Sequence, residues 1–235
     1  MNIIEIKNMS KNFKKKKLYN DFSLEIEANT VHAIVGPNGS GKTSLLRILT
    51  GLYKEDKGSV IVNGDHAMLL ENDYLYDDKT GIDNIDIYGL YFGYKGKGYK
   101  KYSDLLGISD DLDRKVSTYS KGMKRKLSLL IIVLMNRDIV FLDEATSGVD
   151  PISRVQIRDL IKILKDKGKT IVITSHDLSE IEKVADKVTM IKDAKILFTK
   201  NMDDIKGEGL EELFIEEGRK WTIIQISIKL VENIC

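Results

Sequence analysis

Eight consecutive residues, Gly36, Pro37, Asn38, Gly39, Ser40, Gly41, Lys42 and Thr43, have the types and spacing of a loop that wraps phosphate. The glycines let successive backbone N–H groups turn inward onto phosphate oxygens, and a helix opening at the loop's end adds its positive N-terminal dipole. The Lys42 ammonium would reach the β and γ phosphates, and the Thr43 hydroxyl is a hard oxygen donor suited to Mg²⁺. Ser44 completes the phosphate-binding set.

A second cluster lies farther along the chain. Asp143 and Glu144 close the apolar run Ile139, Val140, Phe141, Leu142, so two adjacent carboxylates emerge at the carboxyl end of a buried strand, where open α/β sheets hold their ligands. Asp143 suits Mg²⁺, directly or through water, and Glu144, pointing the other way, suits a general base that polarises an attacking water. His176 follows the run Thr170, Ile171, Val172, Ile173, Thr174, where a ring nitrogen can sense a γ-phosphate or orient the water. Each residue has a plainer reading, as a glycine turn, a surface acid pair or a hydrogen-bonded loop histidine. Their company selects the chemical one. His32 and His66 sit inside strand-like runs and are read as structural.

These groups need a scaffold. The stretch VHAIVGPNGSGKTSLLRILTGLY reads as apolar strand, glycine-rich loop and helix, with Leu45, Leu46, Ile48 and Leu49 at helical spacing. Later, DIVFLDEA reads as a buried strand, ISRVQIRDLIKILKDKG as an amphipathic helix and KTIVITSH as another buried strand, which means a parallel α/β sheet. Ahead of the loop, Phe22, Leu24 and Ile26 alternate with polar neighbours in a strand pattern. The lysines at 14–17 read as a solvated hairpin turn. Residues 72–118 turn helical and tyrosine-rich, with Tyr74, Tyr76, Tyr88, Tyr91, Tyr94, Tyr99 and Tyr102. After Gly218, Ile224, Ile226, Ile228 and Leu230 alternate like a strand.

Composition narrows the classes. Of 235 residues 42% are hydrophobic and 31% charged, which excludes disordered and fibrous chains. Lys and Arg number 37 against 36 Asp and Glu, so no global field gathers nucleic acid. Lys95, Lys97, Lys100 and Lys101 stand among the tyrosines in the manner of a nucleic-acid platform, but no nucleic-acid partner is expected. The single cysteine, Cys235, excludes an intramolecular disulfide and a Cys-based metal site, as expected of a reducing cytoplasm. The amino-terminal region lacks the pattern of a secretory signal. The longest apolar run, 129–135, falls far short of the roughly 20 residues of a membrane span, so another chain must supply any span.

One further motif completes the pattern. Tyr119, Ser120, Lys121, Gly122 and Met123 stand shortly before DIVFLDEATSGVDP, and His176 follows it. In order and spacing the chain resembles ATP-binding subunits of ABC transporters over about residues 3–217. The resemblance implies an α/β fold with a P-loop NTPase core. Its mixed, mainly parallel sheet carries an N-terminal antiparallel β portion and an inserted α-helical lobe. It implies one ABC ATPase domain over 1–217, with the lobe at about 72–135 between the Walker A loop 36–43 and the Walker B segment 139–144. The tail 218–235 has no counterpart. ATP and Mg²⁺ are the implied cofactors.

The resemblance also assigns roles. Residues 119–123 take the place of the signature, whose Ser120 and Gly122 would bind the γ-phosphate of ATP held by a second subunit. Residues 147–150 form the D-loop, with Ser147 and Asp150. Phe13 takes the place of the aromatic that stacks on adenine, plain core packing being its other reading. Glu71 occupies a position that usually carries Gln and would accept Mg²⁺-bound water. Glu71, and Met123 followed by Lys124, look like subunits of bacitracin and lantibiotic exporters. Lys121, Arg125 and Lys126 read equally as the exposed face of the following helix.

The function implied is ATP hydrolysis by Lys42, Glu144 and His176, driving export of a peptide, antibiotic or lipid-like substrate. The expected partners are a second ATPase subunit, identical or paralogous, and a separately encoded membrane-spanning permease that meets Glu71 and the lobe's tyrosines. The expected location is cytoplasmic, peripheral on the inner face of the cell membrane. The alternative is a soluble ABC ATPase acting as an assembly or clamp factor. A regulator without turnover is disfavoured because Glu144 and His176 are both in place.

Overall fold

A computed structural model describes residues 1–13, 16–94, 98–205 and 209–232, with the side chains of 16–17, 222 and 224–232 left out. Lys14, Lys15, Lys95, Lys97 and Cys235 therefore lie outside the description.

Alternating burial of Ile4 and Ile6 and of Phe22, Leu24 and Ile26 makes one apolar face on β1 (Asn2–Phe13) and β2 (Lys16–Glu27), which pair antiparallel. The chain then enters β3 (Val31–Val35), wholly buried, and passes through the glycine loop into α1 (Lys42–Leu49). Next, β4 (Lys57–Val62) returns to the free edge of β1, giving a three-stranded sheet in the order β2-β1-β4. Leu45 and Leu46 of α1 are fully buried in a core shared with Ile4, Ile26, Phe141 and Val172. Burial of each such side chain is worth about 1.5–3 kcal/mol.

The chain continues through β5 (His66–Leu69) into the lobe, which contains α2 (Gly81–Phe92), α3 (Tyr99–Leu105) and α4 (Lys121–Leu134). Thr80 and Asp83 begin α2 with a reciprocal capping box. Tyr88, Tyr94, Tyr99 and Tyr102 pack toward the core, while Tyr74, Tyr76 and Tyr91 are exposed. After β6 (Ile139–Asp143), Asp150 caps α5 (Pro151–Asp166), and the helix leads to β7 (Thr170–Ser175) and α6 (Leu178–Ile181). The strands β8 (Lys187–Lys192) and β9 (Lys195–Asn201) and the helix α7 (Leu210–Glu232) finish the fold.

The larger sheet runs β5-β6-β7-β3-β8-β9, parallel except for β9. Its central strands β6, β7 and β3 are buried throughout, as their unbroken apolar runs require. The parallel α/β sheet, the separate antiparallel sheet and the helical lobe all match the sequence reading. Among the described residues no helix is long and apolar enough to cross a membrane.

The tail departs from it. Ile224, Ile226, Ile228 and Leu230 belong to α7, which crosses Gly218 unbroken, rather than to a strand. Buried Leu210 and Leu213, with Phe214 packed against the core, anchor the first turn. Helix propagation then adds one hydrogen bond per residue, outweighing a period-two pattern that has no strand to pair with.

Candidate functional site

The phosphate-type loop leaves the carboxyl end of β3 in a conformation that only glycine fits at two points. A Cβ on Gly36 would stand 2.0 Å from the Ile191 carbonyl oxygen, and one on Gly41, where φ is 109°, would stand 2.5 Å from the Tyr19 hydroxyl. Gly41 precedes α1 without offering a side-chain cap, so the orphan amide donors of the first turn remain available to an anion.

Lys42 is 7% exposed, and its Nζ donates to the carbonyls of Gly36 at 2.7 Å and Pro37 at 3.3 Å, folding back over its own loop. Burial pulls the ammonium below its ordinary pKa, opposed by the carboxylates of Glu144 and Asp143. An anion in the loop would favour the charged form.

Across from it, β6 delivers Asp143 at 1% exposure. Its Oδ1 accepts from the Thr43 hydroxyl at 3.1 Å and the Thr174 hydroxyl at 2.6 Å. Its Oδ2 is buried and accepts no hydrogen bond. Leaving a buried carboxylate oxygen unmatched costs about 1–3 kcal/mol or more, so this atom fits a hard cation. Thr43 and Asp143 supply the oxygen donors that Mg²⁺ prefers.

Glu144 takes a left-handed backbone, φ 51°, rare for a residue with a side chain. Its amide donates to the carbonyl of Thr174 at 3.1 Å on the neighbouring β7. The carboxylate Oε2 lies 2.9 Å from Nδ1 of His176, which follows β7, and the His176 side chain is 56% exposed. Both open onto one cavity of about 600 Å³, within the range of small-molecule sites. Phe13, Asn38, Gly39, Gly41, Lys42, Thr43, Ser44, Glu71 and Ser147 line the same cavity. Phe13 is only partly packed, edge-on against Tyr53 at 5.0 Å between ring centres, and is 37% exposed.

Gly36, Pro37 and Ser40 of the loop, Asp143, Asp150 and the two signature residues do not line this cavity. Ser120 caps α4 by accepting from the Met123 amide at 3.2 Å, and neither it nor Gly122 lines the cavity. Gly122 packs instead against Asp150, whose Oδ2 would lie 3.1 Å from a Cβ at that glycine. Asp150 accepts from the Ser153 hydroxyl at 2.6 Å and the Ser153 amide at 2.9 Å, and these bonds hold its carboxyl below the usual range.

Two basic residues correct the sequence reading. Arg125 is 3% exposed and Lys126 7% exposed, so neither belongs to a solvated helix face. Lys121 alone of the three is exposed. α4 packs against α2 and α3 of the lobe and against β5 of the main sheet, and the backbone carbonyls of Asp143 and Glu144 take up Arg125 donors. Thr174 was also missed; a polar residue inside a buried strand was its only signal. His32 is structural as expected: Nε2 lies 2.7 Å from the Thr189 hydroxyl, and burial pushes its pKa down to about 4.

Residues 19–147 match the family model described as ABC transporter. The chain is 33% identical over 221 residues to the lantibiotic transport ATP-binding protein SrtF of Streptococcus pyogenes, covering 90% of this chain and 96% of that one. It is 36% identical over 206 residues to the uncharacterized ABC transporter ATP-binding protein MJ1023 of Methanocaldococcus jannaschii, covering 86% and 79%. A solved structure of an ATP-binding subunit of an ABC transporter shares the fold, with a TM-score of 0.84 at 21% identity over 92% of this chain and 99% of the other.

Proposed function

The chain belongs to the ABC transporter ATP-binding family, and from that premise we propose that it hydrolyses ATP to power export of a peptide, antibiotic or lipid-like substrate through separately encoded membrane-spanning chains. The observation that carries the reading is the convergence of Lys42, Thr43 and the Glu144–His176 pair on one cavity, with Asp143 and its unmatched oxygen buried directly behind Thr43.

In this reading the 36–43 loop, Ser44 and Lys42 hold the ATP phosphates, and Phe13 offers its free face to adenine. Thr43 and Asp143, with Glu71 through water, hold Mg²⁺, which when bound neutralises phosphate charge. Glu144 removes the proton of the attacking water, and His176 orients that carboxylate and the γ-phosphate. The separation of Ser120 and Gly122 from the cavity supports closure by a second copy, whose signature would cover the phosphates while Ser147 and Asp150 line the junction. Residues 1–217 act as one ATPase domain, whose last helix runs on to Glu232.

The likeness to SrtF, together with Glu71 and Met123, supports export. The exposed Tyr74, Tyr76 and Tyr91 beside the Glu71 loop support a permease contact at the lobe, and with it a cytoplasmic position on the inner membrane face. Capture of the Glu144→Gln protein from detergent-solubilised membranes with Mg-ATP tests the reading. A co-purifying membrane-spanning protein is expected; recovery of soluble partners alone would replace transport with an assembly or clamp role.

A further inference from the structure

Arg125 occupies the second turn of α4, just beyond Ser120 and Gly122, and every one of its N–H donors is used. Nε donates to the carbonyl of Ala145 at 3.1 Å, and Nη2 to the carbonyls of Asp143 and Glu144, both at 2.8 Å. Nη1 donates to the carbonyl of Leu70 and to Oδ1 of Asp73 at 3.2 Å. The Arg125 and Asp73 side chains are 4% and 11% exposed. A buried guanidinium held by one carboxylate and four carbonyls is costly to assemble and costly to break, so its geometry is tightly defined.

One planar fork thus supports three consecutive carbonyls, at 143, 144 and 145. The middle one belongs to Glu144, whose left-handed backbone is strained and persists only where its surroundings over-determine it. Thr174 holds the Glu144 amide from β7, while Arg125 holds its carbonyl from α4. The other prongs of the fork hold Leu70 and Asp73, the two sides of the loop that carries Glu71 into the cavity.

We propose that Arg125 is a positioning residue for hydrolysis, fixing the Glu144 carboxylate and tying it to both the Glu71 loop and the signature helix. Displacement of α4 or of residues 70–73 is then transmitted to Glu144 through one side chain without passing through the bound nucleotide. The inference rests on the proposed role of Glu144, and it adds a brace that the motifs do not specify.

The test compares wild type, Arg125→Lys, Asp73→Asn and Glu144→Gln as full chains, each checked for thermal stability. A lysine keeps the charge but is a point donor that cannot span both loops. Arg125→Lys is expected to lower kcat about 10–100-fold, because a misplacement near 1 Å costs on that order, while ATP Kd stays within about twofold. Unchanged kcat in folded protein, or ATP affinity falling in step with kcat, overturns the proposal.

Asp73→Asn leaves the four carbonyl bonds and serves if Arg125→Lys does not fold. Amide hydrogen exchange gives it a readout independent of turnover. Faster exchange at 143–147, although the substitution lies in the other loop, is expected; a change confined to the neighbourhood of residue 73 overturns the brace. Wild type releasing phosphate no faster than Glu144→Gln counts against the hydrolysis reading. Normal turnover in both brace variants counts against Arg125 alone.

Discussion

Nδ1 of His176 stands 2.9 Å from Oε2 of Glu144, joining the residues that follow two neighbouring parallel strands, β7 and β6. The contact fixes the carboxylate's orientation over the phosphate loop and leaves the other ring nitrogen for a ligand. His176→Ala should slow phosphate release about 10²-fold or more while ATP affinity is retained, since it removes an orienting group but no part of the phosphate cradle. Parallel phosphate-release and equilibrium ATP-binding measurements check this; a loss of affinity matching the loss of rate would place His176 in ground-state binding.

Lys42→Ala should act on binding itself. Charge-assisted hydrogen bonds to phosphate contribute about 1.5–3 kcal/mol, so ATP Kd is expected to rise about 10–100-fold. Calorimetric titration measures it, and an unchanged Kd would remove Lys42 from the cradle.

Ser120 has two separable roles. It caps α4 through the Met123 amide, and it is proposed to meet the γ-phosphate held by a second copy. Ser120→Asp preserves a capping oxygen while placing negative charge opposite phosphate. On the Glu144→Gln background it should keep the melting temperature but fail to form the Mg-ATP-induced dimer expected of Glu144→Gln alone in sedimentation. Persistence of that dimer would exclude Ser120 from the junction.

His32 predicts an acid limb of stability. Burial lowers its pKa from 6.5 to about 4, with Lys187 adding to the effect and Glu27 opposing it. Between those values the unfolded chain binds a proton that the folded chain refuses. Stability is therefore fully present above pH 6.5 and falls as pH drops toward 4, by on the order of 2 kcal/mol at pH 5. Urea unfolding at pH 7 and pH 5 should show that fall reduced in His32→Gln, and an equal fall in both proteins would contradict it.

Much of this architecture is legible in the sequence because local rules and tertiary context agree. The run Val31 to Val35 before a glycine loop, and the run Ile139 to Leu142 before two acids, are readable as central parallel strands because burial on both faces demands unbroken apolar sequence. Cavity-lining residues such as Lys42 and Glu144 follow from their places, the first where the glycine loop after β3 opens α1 and the second immediately after β6. Arg125 was not legible, because a basic residue after a helix cap ordinarily faces water, and only the carbonyls of a distant strand explain its burial. α7 was misread for a related reason: its alternating isoleucines fit a strand, while the anchor that selects helix lies earlier, at Leu210 and Leu213.

The most direct test of the account is phosphate release by the wild-type chain and by Glu144→Gln, with ATP affinity measured on the same samples. The account predicts turnover by wild type, slowed about 10²–10⁴-fold by the substitution, with ATP affinity retained because the loop, Lys42 and Asp143 are untouched. Near-wild-type turnover by Glu144→Gln would contradict it.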